Sequence, residues 1–171
     1  MKFYKKLTFK LKKKDILGIA KLKNSHWNFG IPSQLSWFNN NKNVFKNDFH
    51  FFLINTKKVT GYVQLGKRKY ILSSKEKNYC LFRTLVILKK ERNKKLAKKI
   101  MKEVSNFIKK RKLLGFLLCK KNLIKFYEKY GWVKLSKKRF KVLDHKTSLH
   151  GMIYNLKKED QTKIIRFYYN D

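Results

Sequence analysis

The chain has 171 residues and a formal net charge of +35, from 45 lysines and arginines against 10 aspartates and glutamates. That length supports one domain with a core rather than two, and 43% apolar and 15% aromatic residues exclude the disordered class despite the charge. The charge disfavours polycationic substrates and favours phosphate-bearing ones. Its scatter along the chain reads as a solvated face, so nucleic acid is expected only as nonspecific electrostatics.

From the N-terminus, Phe3 to Leu11 alternates loosely and reads as a strand, after which Asp15 caps a helix with Ile16, Ile19, Ala20 and Leu22 on one face. Pro32-Ser33 opens a second short helix carrying Leu35, Trp37 and Phe38, and the asparagine-rich stretch from Asn39 to Asn47 reads as a loop. Phe49 to Asn55 and Val59 to Gly66 predict an antiparallel pair joined at Thr56-Lys57-Lys58, which Tyr70 to Leu72 extends. Ser73 to Asn78 is a polar turn and Tyr79 to Leu88 a long strand.

Leu96, Ile100, Val104, Phe107 and Ile108 then recur every three or four residues, the clearest amphipathic helix in the sequence. Leu113 to Cys119 is continuously apolar, as suits a strand buried on both faces beside a parallel neighbour, and is too short to span a bilayer. A short helix from Asn122 to Tyr130 stops at Gly131, and Trp132 to Leu135 and Gly151 to Leu156 are the last two strands, with Phe140 to Leu143 in the first of these or in the loop between. Residues 1–156 are thus expected to form the domain and 157–171 a tail, helical or partly ordered. Cys80 and Cys119 offer neither a metal spacing nor a disulfide framework, and Met1 to Asp15 has no apolar leader, so the expectation is a cytoplasmic protein without metal or membrane span.

Two segments carry chemistry. Leu85 to Leu88 runs through the basic turn from Lys89 to Lys95 into the long helix, so backbone N–H groups and lysines converge where an anion would sit. Phe126 to Trp132 sets Tyr127 on a short helix before a glycine stop, a place for a proton donor in an α/β crevice, although its spacing from Leu123 also suits a core residue.

With this order of elements, Arg92-Asn93-Lys94-Lys95-Leu96-Ala97 and Phe126-Tyr127-Glu128-Lys129-Tyr130-Gly131-Trp132 resemble the GNAT superfamily of N-acetyltransferases. Arg92 and Ala97 match the first motif, with Lys95 where the family writes glycine. Tyr127, Glu128, Lys129 and Gly131 match the second, with Trp132 in place of phenylalanine. The resemblance implies a single α/β (α+β) domain: a mixed, mostly antiparallel sheet of about six or seven strands, helices on both faces, and a parallel central pair splayed to admit coenzyme A.

It also implies acetyl-coenzyme A as co-substrate, held through Val86, Ile87 and Leu88 along the pantetheine arm, Arg92 to Ala97 around the pyrophosphate, and Asn122 and Phe126. Tyr127 matches the tyrosine that protonates the leaving thiolate in many members. The strand Leu81 to Leu85 lacks the glutamate some relatives use as a base, which leaves Asp48, His50, His26 and Asp144-His145 as candidates, with His50 favoured. His26, Trp27, Gln34, Trp37 and His145 are candidates for the acceptor pocket, where tryptophans and amides suit a sugar ring.

The implied reaction is direct attack of a small primary amine on the thioester. The pattern loosely resembles acetyltransferases of surface-polysaccharide amino sugars and more distantly aminoglycoside 2′-N-acetyltransferases, and charge favours a nucleotide-linked amino sugar among acceptors. Rival readings are a basic nucleic-acid-binding protein and a degenerate member that binds the coenzyme without catalysis; a homodimer is also compatible.

Overall fold

The computed structural model describes residues 1–170. Nine strands and four α-helices form a single α/β domain with an open, mixed, mostly antiparallel sheet. In chain order these are β1 Lys2–Leu7, α1 Lys13–Trp27, α2 Ile31–Asn41, β2 Phe49–Asn55, β3 Lys58–Leu72, β4 Lys75–Ile87, α3 Leu96–Lys110, β5 Leu114–Cys119, α4 Ile124–Glu128, β6 Val133–Lys134, β7 Phe140–Val142, β8 His150–Tyr154 and β9 Ile165–Phe167. The order across the sheet is β1-β2-β3-β4-β5-β8-β6, with β9 pairing β3 and β7. No helix among the described residues is long and apolar enough to cross a membrane.

The domain comprises two compact units, Met1–Gly66 with Arg83–Met101, and Lys67–Phe82 with the chain from Lys102 onward. In the first unit, β1 pairs antiparallel with β2 and β2 with β3, whose hairpin turns on Thr56 and Lys57 at φ 43° and 64°. Two left-handed residues give the turn the twist of its flanking strands. Asp15 lies one turn inside α1, where its carboxylate accepts the Lys12 N–H at 2.9 Å and the Lys6 ammonium at 2.7 Å. A buried carboxylate at a helix N-terminus thus meets both the helix dipole and a cation.

Consecutive β3 residues point to opposite faces. Tyr62 packs with Ile19 and Leu22 of α1, Phe52, Val59 and Val86, whereas a Cβ on Gly61 would lie 2.9 Å from Ile100 of α3. Helices therefore cover both faces, and glycine at 61 lets α3 approach.

In the second unit, β4 and β5 run parallel through Tyr79–Leu114, Cys80–Gly115 and Leu81–Phe116, and β5 then pairs antiparallel with β8. β5 is buried along its length apart from half-buried Leu118, as its unbroken apolar run implies. The core joins Tyr79, Leu81, Phe116, Ile153, Ile165 and Phe167, with the Phe116 and Phe167 rings stacked at 3.8 Å.

The tail expected to be helical or partly ordered holds a 3-10 turn at Lys158–Asp160 and strand β9. Ile165 and Phe167 alternate with exposed Arg166, and both apolar residues are fully buried. Phe140–Val142 forms its own strand, β7, parallel to β9, so the sheet exceeds the six or seven strands expected. β1 ends at Leu7, where a 3-10 turn replaces the rest of the expected strand.

Candidate functional site

The first unit holds the basic loop. After β4 the chain makes a 3-10 turn at Lys89–Glu91 and enters α3 through Asn93 and Lys95, both left-handed at φ 67° and 56°. The glycine preference at position 95 thus has a backbone reason, and Lys95 satisfies it by adopting the conformation glycine reaches without strain. A left-handed residue followed by a right-handed one turns successive N–H groups toward a common point where an anion can bind, and Lys95 followed by Leu96 makes that step at the start of a fifteen-residue helix.

Lys95 and Asn93 are exposed, Leu96 is buried beneath them and Ala97 half-buried. Lys94 pairs with Glu91 at 3.2 Å. Arg92 turns back, its guanidinium 3.4 Å from the Ile87 carbonyl and 3.3 Å from His26 Nδ1. Val86 is buried, Ile87 and Leu88 are half-buried, and the Leu88 N–H donates to the Thr60 carbonyl at 2.9 Å.

β4 carries a distortion just upstream. Thr84 is left-handed at φ 62°, which is rare for a β-branched residue and marks strain of the kind found at functional sites. Thr84 lines a pocket of about 360 Å³ with Lys23, Trp27, Phe29, Ser33, Gln34 and Trp37. Three of the expected acceptor residues, Trp27, Gln34 and Trp37, are therefore together. His26 stands beside them, edge-on to Trp27 at 4.6 Å and bonded to Arg92. His145 belongs to the second unit, where it stacks on Tyr169 at 5.0 Å.

Behind the pocket runs a ladder of charge and rings. The Lys23 ammonium lies 4.6 Å from the Trp37 ring centre, Trp37 stacks on Phe45 at 5.7 Å, and the Arg83 guanidinium lies 4.3 Å from the Phe45 ring. Arg83 bonds Asp48 at 3.0 Å, and the same carboxylate oxygen accepts from Gln64 at 2.8 Å. Asp48 is 1% exposed, so both of these bonds offset the cost of burying its carboxylate.

His50, also buried, has Thr8 Oγ1 at 2.9 Å on Nε2 and Tyr62 Oη at 2.8 Å on Nδ1. Burial, then the positive charges of Arg83 and Lys23, pushes its pKa down to about 3, so the ring stays neutral at ordinary pH. Burial raises the Tyr62 phenol well above its usual value, which keeps that hydroxyl protonated beside His50. The expected base candidates therefore form a closed polar network with their partners already assigned.

The second unit presents Tyr127 on α4. Its ring is 7% exposed, edge-on to Phe82 at 5.8 Å and Phe126 at 5.1 Å, and its hydroxyl makes no hydrogen bond among the described residues. Burial and the neighbouring Cys119 push the phenol above its ordinary value. Burial likewise raises the Cys119 thiol to about 11, which makes it a poor nucleophile for an acyl-cysteine route. Phe126 is half-buried against Tyr130, and Asn122 is exposed in the turn before α4. Gly131 ends this segment at φ 80°. Among the described residues, no group of histidines, cysteines or carboxylates is placed to hold a metal.

The left-handed entry to α3 thus follows a distorted strand, β4, in an open α/β sheet. Residues 47–134 match the acetyltransferase (GNAT) domain, and the chain belongs to that family of N-acetyltransferases. Among solved structures it is similar to an acyl-CoA N-acyltransferase from Pseudomonas aeruginosa, at 12% identity and a TM-score of 0.67 over 90% of this chain and 99% of that one. It is also similar to the GNAT family N-acetyltransferase YhbS from Escherichia coli in complex with CoA, at 12% identity and 0.68 over 98% and 91% of the two chains. A third is the Bacillus subtilis N-acetyltransferase YlbP in complex with coenzyme A, at 12% and 0.57 over 90% and 95%. At this identity the likeness is one of fold. No curated protein matches the chain.

Lys23, Arg83 and Thr84 escaped the sequence reading. Lys23 is one lysine among many, and nothing in Leu81-Phe82-Arg83-Thr84-Leu85 marks a left-handed threonine.

Proposed function

We propose that the protein transfers an acetyl group from acetyl-coenzyme A to the primary amine of a small acceptor, an amino sugar or nucleotide-linked amino sugar, by direct attack. The observation that carries this reading is the left-handed pair Asn93 and Lys95 at the start of α3, inside the residues that match the family. These residues fit the coenzyme: the amides from Arg92 to Ala97 would hold its pyrophosphate, and the backbone from Val86 to Leu88 its pantetheine arm. When bound, acetyl-coenzyme A supplies an acetyl thioester activated toward amines.

The pocket of Trp27, Gln34 and Trp37 offers two aromatic walls and an amide, a set that suits a ring bearing hydroxyls. The +35 charge disfavours polycationic acceptors. Tyr127 is the proton donor to the departing thiolate. Its raised pKa keeps the proton on the phenol, available to a more basic alkyl thiolate as it leaves.

His50 is a poor base with both ring nitrogens engaged and a pKa of about 3, and Asp48 is committed to Arg83 and Gln64. The amine therefore enters neutral and loses its proton to solvent, while Asp48 and His50 position β2 and Arg83. The test is coenzyme A release from acetyl-coenzyme A across a panel of amines, beginning with amino sugars and their nucleotide-linked forms. Amine-dependent release is expected, and release that no amine accelerates would overturn the reading.

A further inference from the structure

Lys23 has a place in the acceptor pocket and no counter-ion among the described residues. It lines the open pocket of about 360 Å³ and also, with Gln34, Trp37 and His50, a smaller one of about 20 Å³. Its ammonium lies 4.6 Å from the Trp37 ring centre. Burial, then repulsion from Arg83, lowers its pKa, so the charged form is held there at a cost. Two other cations of this unit do have carboxylates: Lys6 is on Asp15 at 2.7 Å and Arg83 on Asp48 at 3.0 Å. Lys23 forms no ion pair among the described residues, and none of the pocket's lining residues is acidic.

Contact with a tryptophan face stabilises a partly buried ammonium and leaves its donor N–H groups unused. The Gln34 amide and the Ser33 and Thr84 hydroxyls complete a set of donors around a volume that suits a small, ring-sized ligand.

Resting on the acetyltransferase reading, we propose that Lys23 determines acceptor specificity by binding an anionic group, a carboxylate or a phosphate, on the amine substrate. The ligand's charge replaces the counter-ion the protein omits, while Trp27 and Trp37 wall its carbon frame. Neutral amines of the same shape leave the cation uncompensated and are selected against.

The experiment compares glucosamine, glucosamine 6-phosphate and a glucosamine bearing a carboxylate as acceptors of wild type, Lys23→Gln and Lys23→Arg, by coenzyme A release. Binding of each sugar to the coenzyme A-loaded protein is followed in parallel by tryptophan fluorescence. Wild type should prefer at least one anionic sugar over glucosamine by about tenfold or more in kcat/KM or in Kd, the worth of one charge-assisted hydrogen bond. Lys23→Gln should bring that ratio close to one through KM, and Lys23→Arg should restore most of it. Which sugar is preferred separates phosphate from carboxylate recognition.

A structural role for Lys23 would lower all three sugars in proportion and keep the ratio, which would overturn the proposal. Preference that survives Lys23→Gln would assign it to the general +35 field and overturn it equally. If no sugar is acetylated but the fluorescence ratio behaves as stated, the transfer reading fails and anion recognition stands. A protein that binds no sugar overturns anion recognition.

Discussion

Replacing Lys95 by glycine and, separately, by valine isolates what the backbone at this position contributes. Lys95 sits at φ 56°, a conformation that costs a residue with a Cβ about 1–2 kcal/mol relative to glycine. Lys95→Gly removes that cost, but glycine's extra freedom in the unfolded chain takes back about 0.5–1 kcal/mol, so stability should rise by no more than about 1.5 kcal/mol. Lys95→Val keeps a Cβ and adds a second branch, which raises the cost of the left-handed state. Both variants lose the same charge, so electrostatics cancel between them. The glycine variant should therefore exceed the valine variant by at least about 1 kcal/mol, distributed between thermal stability and coenzyme A affinity, or about fivefold if all of it falls on Kd. Calorimetric titration with coenzyme A and a thermal melt of each variant read both shares. Equal melting temperatures together with equal affinities would refute the claim that a left-handed residue 95 shapes the loop.

Other expectations follow from the same geometry. Tyr127→Phe should lower kcat on the order of a hundredfold and leave coenzyme A affinity nearly unchanged in calorimetry; unaltered turnover would remove the phenol from the mechanism. Asp48→Asn takes away the carboxylate that holds Arg83 and Gln64, and should cost about 3–5 kcal/mol of stability in chemical denaturation, as loss of one member of a buried pair does. Because the His50 pKa falls from 6.5 to about 3 on folding, its contribution is complete above about pH 6.5 and is lost as pH falls toward 3. At about 1.4 kcal/mol per unit that amounts to several kcal/mol. Stability of His50→Gln measured by denaturant midpoint should therefore vary less between pH 6.5 and 4 than that of wild type, and equal slopes would contradict a neutral buried His50. In the second unit, a Cβ at Gly115 would meet Trp132 at 3.0 Å and Ile108 at 3.1 Å, so Gly115→Ala should lower stability by about 1–3 kcal/mol in a melt.

The sequence carried some parts of the fold openly and hid others. The periodicity of Leu96, Ile100, Val104 and Phe107 marked α3, and the uninterrupted run of β5 announced a parallel neighbour, because burial on one stripe or on both faces leaves those patterns. β9 was not legible. Ile165 and Phe167 do alternate, but over three residues within a charged tail, and only packing on Phe116 and pairing with β3 make that alternation a strand. The site divided in the same way. Trp27, Gln34 and Trp37 were conspicuous by residue type and do meet in one pocket. Asp48 and His50 were conspicuous too, yet their environment commits them to Arg83, Gln64, Thr8 and Tyr62, which a linear sequence does not display. Lys23 was lost among 45 basic residues and is distinguished by the ring beside it and by the lack of a carboxylate partner among the described residues.

The central claim is that this loop and strand hold acetyl-coenzyme A. Calorimetric titration with acetyl-coenzyme A at physiological salt, where scattered lysines contribute little, tests it directly. Saturable binding of one molecule per chain is expected, competed by coenzyme A and not by an equal concentration of ATP. Binding that is absent at this salt, or that ATP displaces as readily as coenzyme A does, would contradict it.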